Sequence, residues 1–88
     1  MLSNGIVDSG MSLRKILVAV DHTGTTYRLC SVGDAAMFLT TSAKEQQGDP
    51  GWQEAYKALE RAAHEPSHVP FAVRALRVFL SGQHMLVL

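Results

Sequence analysis

Cysteine is almost missing from this sequence. Cys30 stands alone among 88 residues, which excludes an intramolecular disulfide and any cysteine-based metal cluster. An excess of either charge is missing as well: eight Lys and Arg balance eight Asp and Glu, and the pI is about 6.9. Nucleic-acid binders usually show a basic face and a pI above about 9, so neutrality argues against a nucleic-acid partner. It argues equally against an anionic membrane surface. No apolar run approaches the ~18 residues of a membrane span. The N-terminal MLSNGIVDSGMS lacks a basic region followed by a long apolar stretch, so it does not read as a secretory signal. The cytoplasm is the expected compartment.

What is present is the composition of a globular chain, 47% hydrophobic and 18% charged, which speaks against general disorder. A chain this short makes one domain and buries roughly 60–65% of its unfolded surface, so a monomer would be modestly stable. Near-zero net charge is compatible with self-association.

Residues 1–13 are rich in Ser, Gly, Asn and Asp and read as a flexible tail, with 14–88 as a single α+β domain. Met11 is a second candidate start. Lys15 to Asp21 is β-branched and apolar, a strand expected to be buried on both faces. Asp21-His22-Thr23-Gly24 supplies turn chemistry. Thr25 to Cys30 then alternates as a half-exposed strand. The two form an antiparallel β-hairpin with a loop of about three to five residues, which needs helices over one face to be stable.

Ser31-Val32-Gly33-Asp34 has the form of a capping box before AAMFL, and the helix it opens fades in Thr40, Thr41 and Ser42. KEQQG at 44–48 reads as a solvated connection. Asp49 and Pro50 are an N-cap and first residue for a second helix, with Trp52, Ala55, Tyr56, Leu59 and Ala62 on its apolar face. Pro66 stops that helix, and Ser67 or a neighbour caps the third, which Gly82 ends. The third helix, PFAVRALRVFLS, carries apolar residues over an arc of roughly 220°, more than one buried side requires. The terminal HMLVL is expected to add a short edge strand to the hairpin, the alternative being that it lies against the third helix. The predicted order is ββααα with a possible C-terminal strand.

CSVGDAAMFL, GWQEAYKALERA and FAVRALRVFL together resemble a family of small bacterial proteins known as the domain of unknown function number nine hundred and eighty-two. Ser31, Asp34, Ala35, Ala36 and Leu39 match its first block; Gly51, Trp52, Ala55 and Leu59 match its second. The Trp-Pro pair common in that family after the first helix is replaced here by TTSAKEQQ, and the last block reads A-V-R-A-L instead of A-R-x-A-F. The resemblance spans about residues 15–82. It implies a fold, a bacterial origin and no particular chemistry.

Candidate chemistry is thin. His64 and His68 have the i, i+4 spacing of metal ligands, but Pro66 between them breaks the helix that would align them. Cys30 and His22 are the sole conceivable nucleophile and base, without a third orienting group. The helix start at Ser31 would attract an anion, except that the Ser31 side chain is expected to occupy a donor there. Trp52 and Tyr56 at i, i+4 suit a core pair or a stacked ligand. No catalytic, metal or cofactor site is therefore expected. Phe71, Arg74 and Arg77 on the third helix are the candidate partner-binding residues. The sequence reads as a non-enzymatic interaction or regulatory module, a homodimer through its third helix. The alternative is a small-molecule binder with a pocket between hairpin and helices near Trp52 and Tyr56.

Overall fold

A two-stranded antiparallel sheet comes first, β1 at Ser12–Val20 and β2 at Thr26–Ser31. Three helices follow: α1 at Val32–Thr41, α2 at Pro50–Ala62 and α3 at Val69–Gly82. The computed structural model describes Ile6 and residues 8–87. The architecture is the α+β hairpin on three helices that the sequence predicts.

The hairpin turns through Asp21–Thr25, between the pair Val20–Thr26. Gly24 sits at φ 91°, a left-handed conformation that costs glycine least. Leu17 opposes Leu29, and both face the core. Beyond them the register slips. Ser12 pairs with Ser31, so β1 spends five steps where β2 spends two. Such a bulge bends the strand, and Arg14 at φ 66° marks it, its N–H bonded to Ser12 Oγ at 2.9 Å. Cys30 lies opposite this bulge, and its N–H goes to the Asp34 carboxylate at 3.1 Å.

β1 begins three residues earlier than expected, and the reason is the start of α1. Residues 1–5 and 7 of the tail expected over 1–13 lie outside the described residues. From Ser9 onward the segment is packed: Ser9 O accepts from Gly33 N at 3.1 Å and Met11 O from Val32 N at 2.8 Å. Ser31 Oγ takes the third donor, Asp34 N, at 3.1 Å. All three N–H groups opening α1 thus have acceptors, the general need of a helix N-terminus. Leu13 is consequently a core residue.

β1 is not buried on both faces. Leu13, Leu17 and Ala19 are buried, but Ile16 is 48% exposed and Val18 and Val20 are half-buried. Helices cover one face of the sheet only, as antiparallel sheets permit. The chain end joins the free edge of β1: Val20 N–H bonds Met85 O and Val87 N–H bonds Val18 O, both at 2.8 Å, around a bridge from Ala19 to Leu86. Among the described residues the expected C-terminal strand is a single bridge, and Leu88 lies outside them.

Asp49 caps α2 by accepting from Gly51 N at 2.7 Å, with Pro50 just inside. The connection at 44–48 includes a single tight helical turn, Lys44–Gln46. α3 differs from expectation at both ends. A tight turn at Pro66–His68 runs straight into it, and no side chain, Ser67 included, caps it. Pro70 in its first turn has no N–H to satisfy. At its far end Gly82 is still helical, and His84 takes the left-handed position at φ 59°. His84 N bonds Ser81 O at 3.1 Å and Met85 N bonds Leu80 O at 2.8 Å, the two bonds of a Schellman motif. Histidine tolerates that conformation better than most side chains.

The core lies between sheet and helices, with Leu39, Leu59, Leu76 and Leu80 fully buried in it. The Trp52 indole N–H donates to Leu39 O at 3.0 Å. Leu39 is in the last turn of α1, where carbonyls lack helical partners, so one bond ties α2 to the end of α1.

Candidate functional site: the face shared by α2 and α3

Seen along α3, Val69, Ala72, Val73, Leu76, Phe79 and Leu80 face the core. Phe71, Ala75 and Val78, at i, i+4 and i+7, form a second stripe. Phe71 is 60% exposed and Val78 67%. α2 runs antiparallel beside this stripe: Gly51, at its start, lies near Phe79 late in α3, while Arg61, late in α2, and His68, just before α3, both line the groove between them. A side chain at Gly51 would have its Cβ 3.4 Å from the Phe79 ring, an ordinary contact, and a tight 3.1 Å from the capping Asp49 Oδ1.

Between the helices is an open groove of about 540 Å³, with Ala58, Phe71, Ala75 and Val78 as its apolar floor. Lys57, Arg61 and Arg74 stand along it, with Glu54 as its single carboxylate. A second depression, sharing Arg74 and Val78, adds Lys15 and Arg77. Five of the chain's eight Lys and Arg therefore gather around one apolar stripe. Arg61 pairs with Glu65, whose acidity rises through that guanidinium's hydrogen bond and charge. Among the described residues no other ion pair forms, so Lys15, Lys57, Arg74 and Arg77 have no carboxylate partner there.

Phe71, Arg74 and Arg77 are thus all exposed and close together, with His68 against the Phe71 ring at a centroid distance of 5.3 Å. The helical period of α2 puts Lys57 and Arg61 off its apolar face but gives no sign that they border the bare stripe of α3. Lys15 was less accessible still, because the bulge in β1 is what accompanies its approach to α3.

The remaining candidates are not assembled into sites. Cys30 is exposed near the bulge, while His22 lies in the turn beyond Thr26. Four residues of extended strand, at about 3.3 Å each, separate Cys30 from Thr26 alone. His64 follows the end of α2 and His68 closes a separate turn. Among the described residues no three His, Cys, Asp or Glu group to hold a metal ion. The donors at the start of α1 are occupied, as described above. Trp52 is 7% exposed and stacked on Tyr56 at 5.1 Å and 8°, so its role is in the core. Burial, with Glu60 nearby, pushes the Tyr56 phenol up.

One acidic group is strongly shaped by its surroundings. Asp21 Oδ1 accepts from Thr23 Oγ1 at 2.6 Å, Thr23 N at 2.9 Å and Thr25 N at 3.0 Å, and Oδ2 accepts from the Tyr27 hydroxyl at 3.0 Å. These bonds, the Thr23 hydroxyl first, lower its pKa to about 2. They tie the hairpin loop to itself, a structural use of the carboxylate.

No protein-family model, characterised protein or solved structure matches the chain. The surface of α2 and α3 therefore has to be read from its own chemistry. It offers apolar contact area and cationic donors, the requirements for binding a polypeptide.

Proposed function

We propose that the chain is a small, non-enzymatic interaction or regulatory module that meets other polypeptides, its own copies among them. The exposure of Phe71 and Val78 on one ordered helix carries this reading. Large apolar side chains grouped on a small surface commonly mark a protein interface. A cytoplasmic location goes with it, because the one cysteine is an exposed thiol. Membership of the domain family resembled by CSVGDAAMFL and GWQEAYKALERA is proposed alongside it and adds no activity. Among the described residues no helix is long and apolar enough to cross a membrane.

Self-association fits the uncovered side of the sheet better than α3. Ile16, Val18 and Val20 of β1 lie there beside Val87, which is 49% exposed, with Arg28 opposite Val18. A two-fold contact at this face brings apolar residues together. A two-fold contact centred on α3 brings Arg74 and Arg77 against their own copies, and like charges oppose it.

Light scattering after size exclusion, over at least tenfold dilution, tests this. A dimer is expected for the native chain and a monomer for Ile16→Glu with unchanged circular dichroism. A native chain that is monomeric throughout overturns self-association. A dimer broken by Val78→Glu and not by Ile16→Glu moves the contact to α3.

A further inference from the structure

We infer that the groove between α2 and α3 is a docking site for an acidic amphipathic helix of a partner protein. This rests on the interaction-module reading and names the occupant of one of its two surfaces.

The shape comes first. Phe71, Ala75 and Val78 repeat at i, i+4 and i+7 and span eight residues of α3, about 10 Å at 1.5 Å of rise per step. An amphipathic helix presenting apolar side chains at the same spacing covers such a stripe with two turns. The floor is continuous with Ala58 of α2, so the incoming helix lies between two antiparallel helices and makes a third member of the layer.

The charge selects the partner. Lys57 and Arg61 rise on the α2 side, with Arg74, Arg77 and Lys15 on the α3 side. Glu54 opposes them within the two depressions. Glu65 pairs Arg61, which leaves Lys57, Arg74, Arg77 and Lys15 as the cations without a carboxylate partner among the described residues. In a chain of zero net charge this is a segregation, because other carboxylates lie elsewhere, such as Asp21 in the hairpin loop and Asp34 at the start of α1. Cations flanking an apolar stripe complement carboxylates flanking another, and guanidinium groups suit carboxylates in particular. A second copy of the chain brings the same cationic rim and is opposed. A polyanion such as a nucleic acid would use the cations and leave the apolar floor uncovered.

The experiment uses three fluorescently labelled helical peptides of equal length and measures their anisotropy with the full chain. One carries Leu at i, i+4 and i+7 with flanking Glu. The second has Lys in place of Glu, and the third has Ala in place of Leu. The acidic Leu peptide alone is expected to bind, more weakly as salt rises. Phe71→Ser should weaken it by about tenfold or more, as loss of a central anchor does. Arg74→Glu with Arg77→Glu should weaken the acidic peptide and gain affinity for the Lys peptide. These side chains are exposed, and unchanged circular dichroism and melting temperature establish that each variant folds.

Equal binding of the Leu peptides with Glu and with Lys overturns the charge selection. Equal binding of the Ala peptide, or its displacement by a single-stranded oligonucleotide, overturns the apolar floor and leaves a general polyanion surface. No binding by any peptide at millimolar concentration overturns the groove as a helix site. That failure stays separate from the dimer, which the Ile16→Glu variant reports independently.

Discussion

Leu76 and Val78 are two residues apart on α3 and have opposite surroundings. Leu76 is fully buried, whereas Val78 is 67% exposed. The residues before them divide the same way, Val73 inside and Phe71 outside. One helix thus carries two apolar surfaces, and the fold consumes one of them. What distinguishes the two is their neighbours. The inner surface meets leucines and alanines of α2 and the sheet, and the outer one meets lysines and arginines. The comparison teaches that the excess apolar arc of α3 divides into a part that holds the fold and a part left bare beside cationic side chains.

The largest effect is expected on the inner side. Leu76→Ala should cost about 2–5 kcal/mol in urea unfolding, because the space left cannot collapse fully. A loss below about 1 kcal/mol would place α3 outside the core and erase the distinction. Next comes Trp52→Phe, which shrinks the bicyclic indole to a single ring and leaves the Leu39 carbonyl without its donor. An unsatisfied buried acceptor costs about 1–3 kcal/mol, measured by the same unfolding curves. Asp49→Ala removes the acceptor for Gly51 N and should cost about 1 kcal/mol, against little change for an exposed control such as Glu60→Ala.

The outer side should respond weakly. Phe71→Ala and Val78→Ala are each expected to stay within about 0.5 kcal/mol of the native chain. A loss of 2 kcal/mol or more, on the order of a core truncation, would show that the stripe belongs to the fold and has no surface to offer. The smallest effect is a dependence on pH from Asp21. Its folded pKa lies below the ordinary carboxylate value, so its contribution is present above about pH 4 and lost as pH falls through about 2. Urea midpoints between pH 5 and pH 2 should therefore fall less for Asp21→Asn than for the native chain. Equal slopes would mean that the loop bonds do not form in solution.

The hairpin and the three helices were legible because their signals are local. Ser31 and Asp49 cap the helices they precede, and Pro50 opens α2, all within a few residues of the structure they specify. The arc of α3 was also legible as an excess, and with it the exposure of Arg74 and Arg77 on its narrow polar stripe. The misread places have distant causes. Ser9 and Met11 are packed because α1 needs acceptors for its first N–H groups, about twenty residues onward in the chain. β1 carries a bulge because it must match β2 at two separated points, Leu17 with Leu29 and Ser12 with Ser31. Gly82 remains in α3 because the chain turns at His84, where Met85 can return to Leu80.

The sequence by itself determined the elements, their order and the apolar surplus of α3, since caps, prolines and periodicity act within one or two helical turns. Which half of that surplus stays exposed was decided by tertiary structure alone. So was the gathering of Lys15, Lys57, Arg61, Arg74 and Arg77 around it, since these come from three elements that packing alone brings together. The physical reason is range: hydrogen bonds that shape a turn are made by near neighbours, while a surface is made by residues that share only a place in space.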